Sequence, residues 1–187
     1  MVEDRQYTGS ELSTCLAALF QAWGSGREYM DDGTTTGDVE FVYTEDVRSF
    51  DVVLHGDATG RLRVVGEDSW FDGGAGWQPD EVMGPLYAVL SSPEALFEVV
   101  APDSTWTVQG ERELLTLPSG DDVEAWAVVL DEGYDLGDVS VEEWTLWFAD
   151  DVTPVGNSGT SSVWGTSATS TQIFYDLGAD IVIEPPA

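Results

Sequence analysis

A chain of 187 residues is long enough to bury a sizeable core, and its 42% hydrophobic and 11% aromatic content argues against disorder. Thirty-six Asp and Glu face six basic residues, all arginine, for a net charge of −30; such a surface repels nucleic-acid phosphate and is not drawn to anionic lipid. The single cysteine, Cys15, excludes an internal disulfide, and no apolar run is long enough to span a bilayer. Two origins suit the charge equally: a salt-adapted organism, or an exported protein from a high-GC organism that avoids lysine codons.

Taken in chain order, Ser10 reads as a helix N-cap and Gly24 as the residue that ends the helix. Between them Leu12, Cys15, Leu16, Leu19, Phe20 and Trp23 recur at steps of three and four, which predicts one strongly apolar helix face with Cys15 buried on it. The tetrad Leu12–Cys15 superficially resembles a bacterial lipidation box, but the residues before it are not a basic start followed by an apolar run. Residues 31–37 form a polar turn. Residues 38–44 and 47–55 then read as strands, the second with Phe50, Val52 and Leu54 on one side. Short polar turns lead to strands at 61–65 and 69–71, and a Gly-rich turn follows before Trp77 resumes the pattern. Residues 79–85 are a loop. Ser92 caps a second, short helix with Pro93 at its first position and Leu96, Val99 and Val100 on its apolar side.

The second half predicts strands at 105–109, 111–117, 123–130 and 141–148. In the last of these, Trp144, Leu146 and Phe148 fall on one side and Glu143, Thr145 and Trp147 on the other. Residues 157–162 read as a flexible polar connection, 169–175 as a strand and 181–183 as the last strand. The sum is nine or ten strands with two helices in a single domain over 1–187. That is an α+β fold: a curved antiparallel β half-barrel covered on its concave face by the N-terminal helix and a short mid-chain helix.

No catalytic constellation stands out. His55 is the lone histidine and faces away from Phe50 and Leu54, as a surface residue would. Acidic pairs such as Asp31-Asp32, Asp121-Asp122, Glu142-Glu143 and Asp150-Asp151 lie mostly in turns; Asp-rich turns supply hard oxygen ligands for calcium better than a catalytic pair, although D-D-G-T-T-T-G-D at 31–38 does not match the spacing of a twelve-residue calcium loop. The eight tryptophans fill a core, or several of them line an apolar pocket between sheet and helices.

Several segments carry a family likeness. They are G-E-D-S-W-F-D-G-G-A-G-W at 66–77, the Ser92-Pro93 helix with Leu96, the strand V-E-A-W-A-V-V-L at 123–130, V-E-E-W-T-L-W-F-A-D-D at 141–151, and the closing F-Y-D-L-G-A-D-I-V-I-E-P-P. Together they resemble the LolA/LprG-type (LppX/LprG-like) lipoprotein carriers of bacterial envelopes, over nearly the whole chain. The resemblance implies a non-catalytic protein that binds the acyl chains of a lipid or lipopeptide in an apolar cavity. It would need no cofactor or metal. Leu16, Leu19, Phe20, Phe50, Val52, Leu54, Leu96, Trp126, Trp144, Leu146 and Phe148 would face that cavity. It also implies export to the cell envelope or beyond, lipid anchoring in the full-length native form, a monomeric state, and an envelope protein as a further partner. The alternative is a structural or sensor module of the cell surface with the same fold and no lipid cargo. A hydrolase would require two carboxylates facing each other in a cleft.

Overall fold

The computed structural model describes residues 3–43, 48–84 and 99–187. Its one described helix, α1 (Gly9–Trp23), begins two residues earlier than the sequence suggests. Thr8 is the N-cap: its hydroxyl accepts the Glu11 N–H (3.2 Å) and the Glu11 carboxylate accepts the Thr8 N–H (2.8 Å), a reciprocal capping box. Gly24 adopts φ 70°, a left-handed conformation that suits glycine, and donates its N–H to the Phe20 carbonyl. Leu12, Leu16 and Phe20, four residues apart, form the buried stripe with Ser13 and Ala17 beside it. Cys15 lies off that stripe and is exposed, contrary to the expectation of a buried thiol.

The strands are β1 (Gln6–Thr8), β2 (Ser25–Asp31), β3 (Thr35–Tyr43), β4 (Arg48–Gly56), β5 (Gly60–Val65), β6 (Asp68–Asp72) and β7 (Gln78–Pro79). After the residues left undescribed come β8 (Thr105–Thr116), β9 (Asp122–Leu130), β10 (Tyr134–Leu136), β11 (Val139–Phe148), β12 (Pro154–Val163) and β13 (Thr166–Tyr175). All join one antiparallel sheet in the order β1-β8-β9-β11-β12-β13-β2-β3-β4-β5-β6-β7, with β10 paired to β11. The sheet is open, because β1 and β7 end the path without pairing to each other. It is curved: one apolar cluster contains Val108 of β8 and Val64 of β5, which are separated by seven intervening strands. The core lies on the concave side, and α1 packs there through Phe20. That ring meets Phe41, Tyr43 and Phe174 edge-on at centroid distances of 6.1, 6.3 and 5.0 Å.

Four differences from the sequence reading have physical reasons. β2 was not expected, because its inward residues are Gly26, Glu28 and Met30 and so hide the apolar alternation. Residues 157–162 belong to β12 and are not a free connection. Hydroxyls pair across the β12–β13 ladder, Ser158 with Thr171 (3.1 Å) and Thr160 with Thr169 (2.8 Å), and replace apolar pairs. Residues 181–183 join no ladder. The tail is held instead by Ser25, whose hydroxyl donates to the Ala179 carbonyl, and by Arg63, which donates to the Glu184 carbonyl. Residues 105–116 form one strand, broken by a bulge between Val108 and Arg112. The mid-chain helix expected from Ser92, with Leu96, falls on 85–98, outside the described residues; of its apolar side, Val100 is buried.

Removing the Phe20 ring leaves a hole among four aromatic neighbours, so Phe20→Ala is expected to lower unfolding free energy by about 3–5 kcal/mol. Thr8→Ala removes only the cap, for about 1 kcal/mol. Urea denaturation of both variants, with unchanged m-values, checks the ranking.

Candidate functional site: the concave face

Cross-strand register sorts the concave face into rows. One runs Phe174–Glu28–Val39–Val52–Leu62–Phe71, from β13 to β6. The next runs Leu146–Asn157–Gln172–Met30–Gly37–Leu54, from β11 to β4. Most of these residues are apolar because an inward side chain has nothing but other side chains to meet. Val39, Val52 and Leu62 are buried, while Met30, Leu54, Phe71 and Trp144 pack on the core and stay half-exposed.

The expected cavity residues fall as follows. Leu16, Phe20, Phe50, Val52, Leu146 and Phe148 are buried together in the main cluster. Leu54, Trp126 and Trp144 are half-buried against it. Leu19 is half-buried on the helix flank and belongs to no cluster among the described residues, and Leu96 is not described. Trp147, assigned by alternation to the opposite side from Trp144, sits in a smaller outer cluster with Ala125, Ala127 and Val155. Its indole N–H donates to Glu113 (2.9 Å).

Sequence reasoning missed the polar part of this face. Four adjacent strands carry a directional chain of hydrogen bonds. The Trp144 indole N–H donates to the Asn157 side-chain carbonyl (3.4 Å), the Asn157 amide donates to Gln172 (2.7 Å), and the Gln172 amide donates to Glu28 Oε1 (2.8 Å). Glu28 is only 6% exposed. Burial pushes its carboxyl up from an ordinary 4.5 to about 7, against the opposing pull of the Gln172 hydrogen bond. The signal available in the sequence was slight: a lone Glu between Gly26 and Met30 at two-residue spacing.

The outer face is ionic. Arg27 bridges Glu40 (2.9 Å) and Asp176 (2.7 Å), and Asp51 is paired with both Arg61 and Arg63. A cleft of about 320 Å³ there holds Asp38, Glu40 and Asp51, but Glu40 and Asp51 are each tied to a guanidinium. His55 is exposed on this face, 3.6 Å from Asp38. A second cleft, of about 450 Å³, opens at the sheet end between Trp23, Val155, Phe174 and Leu177, and a polar third, of about 600 Å³, lies by Asp131 and Tyr134. None of the three is lined by a residue expected to face the cavity.

The acidic turns work locally. Asp32 accepts the N–H groups of Thr34 and Thr35, which lowers its carboxyl pKa, and Asp72 accepts those of Gly74 and Gly76. Among the described residues no group of three or more His, Cys, Asp or Glu is placed to hold a metal ion. No described helix is long and apolar enough to cross a membrane.

No family model matches the chain, and neither does any curated protein. Several solved structures are similar, among them the following three. The crystal structure of MucB shares 11% identity with a TM-score of 0.47, covering 96% of this chain and 64% of that one. The MucA/MucB complex of Pseudomonas aeruginosa shares 14% with a TM-score of 0.44, covering 89% and 55%. A putative outer membrane lipoprotein-sorting protein domain from Vibrio parahaemolyticus shares 10% with a TM-score of 0.35, covering 90% of each chain. The chain thus spans between about half and two-thirds of the length of the two MucB chains.

Glu28 has a thermodynamic consequence with a definite sign. Its folded pKa lies above its unfolded value, so its contribution to stability is full below about 4.5 and is lost as pH rises towards about 7. Glu28→Gln keeps the Gln172 contact without the charge. The variant is expected to gain about 3 kcal/mol on the parent across that window and nothing further above it. Denaturation of both proteins at matched pH reads this difference, and the shared repulsion of the other acids cancels.

Proposed function

We propose that the chain is a non-catalytic binding protein, a single domain that holds an acyl-chain-bearing lipid or lipopeptide against its concave face. The observation that carries this reading is the band of half-exposed apolar side chains, Met30, Leu54, Phe71 and Trp144, on the inner side of an open sheet. An acyl chain laid on such a surface gains about 0.8 kcal/mol per methylene buried, before ordering costs. The sequence resemblance to LolA/LprG-type carriers supports the same reading and, with it, an envelope or extracellular location and a lipid anchor on the full-length protein.

A second reading, a surface interaction module, is favoured by one observation. Trp164, at the turn of the β12–β13 hairpin, is 88% exposed beside the partly exposed Val163. An aromatic held out at the tip of a paired hairpin suits contact with a protein partner.

Native mass spectrometry and organic extraction of protein purified from lipid-containing cells are expected to show a co-bound acyl species. Leu54→Asp should reduce its occupancy at least several-fold without unfolding the chain. Protein that stays ligand-free throughout, and takes up no added single-chain amphiphile whether its head is cationic, neutral or anionic, overturns the carrier reading and leaves the interaction module.

A further inference from the structure

Glu28 is the one described carboxylate buried in the concave core. Among the described residues only one of its two oxygens has a protein partner, Oε1 with the Gln172 amide. Oε2 receives no hydrogen bond from any described residue. The described side chains around Glu28 offer it no charge. β3 presents Val39, β13 presents Phe174 and Gln172, and β2 itself presents Gly26 and Met30. The buried stripe of α1 is Leu12, Leu16 and Phe20, and the helix's one charged residue, Glu11, is exposed at its start. Oε2 is not among the fully buried atoms that lack a partner, so it keeps an opening through which a donor brought by a ligand could bond it in place of water. The Trp144–Asn157–Gln172 chain fixes the direction of the site, since every donor along it points towards Glu28 and leaves Oε2 as its open end.

We propose that Glu28 Oε2 is the polar recognition point of the concave face and takes the hydrogen-bond-donating head, an ammonium or a hydroxyl, of an otherwise apolar ligand. The inference rests on the apolar-ligand reading above and adds the head group to it. An anionic head is disfavoured twice, by Glu28 and by a chain of net charge −30. An ammonium makes a charge-assisted bond and offsets the burial cost of the carboxylate. A hydroxyl has no charge of its own and can bond to the carboxyl in either protonation state, so the two donor types differ in strength and in their dependence on Glu28's ionisation.

The test compares dodecylamine, dodecanol and dodecanoate, matched in chain and different in head, by titration calorimetry near pH 8, where Glu28 is ionised. Binding is expected in the order amine, alcohol, carboxylate, with the amine at least about tenfold tighter than the carboxylate. In Glu28→Gln the amine should lose about tenfold or more while the alcohol changes by about twofold or less. One acid among 36 cannot account for such a loss through bulk attraction. Should Glu28→Gln fail to fold, the parent alone decides: its amine affinity must fall as pH is lowered through about 7, and its alcohol affinity must not. Equal binding of all three, or an equal effect of Glu28→Gln on all three, overturns the head-group site and leaves the apolar reading standing. Such a result would mean that water satisfies Oε2. Failure of the parent to bind any of them overturns both.

Discussion

Register is the constraint from which the rest of this molecule follows. In a strand the side chains alternate between faces, so sliding one strand by a single residue exchanges its inner and outer sets. For β2 that slip would bring Arg27, Tyr29 and Asp31 inside and put Glu28 and Met30 outside. The outer face would then lose the Arg27–Glu40 and Arg27–Asp176 pairs, and the inner face the Gln172–Glu28 bond. Ionic ladders outside and apolar rows inside therefore specify the same alignment from opposite sides of the sheet. α1 adds a third vote, because Phe20 finds its ring partners only when Phe41 and Phe174 both point inward.

The elements that could be read from the sequence were those in which alternation is carried by large apolar residues. β4, β9 and β11 came out nearly to the residue, and with them the correct sides for Trp144 and Trp147. α1 was legible from its four-residue spacing, though Thr8 outcompeted Ser10 as the cap because Glu11 stands at the position that closes the capping box. β2 and β12 were not legible. Each lies between two partners that impose the extended conformation, so neither needs strong strand composition of its own. The tail differs in the opposite sense: Ile and Val at 181–183 have strand propensity but join no ladder, and the tail is held by Ser25 and Arg63 instead. As for the site, its apolar walls were visible as a periodicity. Its polar centre was not, because Asn157, Gln172 and Glu28 lie 15 and 144 residues apart in sequence and meet only through the ladder.

The acidity of the chain is managed in two ways. On the outer face of β2–β5 three of the six arginines pair with Glu40, Asp51 and Asp176, so positive charge is concentrated where carboxylates crowd. In the turns, Asp32, Asp72 and Asp151 face backbone N–H groups that would otherwise need water. Among the described residues the concave core holds no charged side chain except Glu28, and that exception is what makes the carboxyl chemically conspicuous.

The two margins of the sheet are not equivalent as templates for another chain. β7 ends in Pro79, which has no N–H to offer, and is two residues long. On the other side β1 shields β8 only over Thr105–Thr107, with one further pair of bonds at Val108. From the bulge onward β8 runs to Thr116 with no strand beyond it among the described residues, and Glu111 and Glu113 lie along that stretch. Like charge holds a second copy of the stretch away in dilute buffer, and salt screens it. The propensity of this protein to grow by strand addition is therefore set at one margin, and ionic strength governs it.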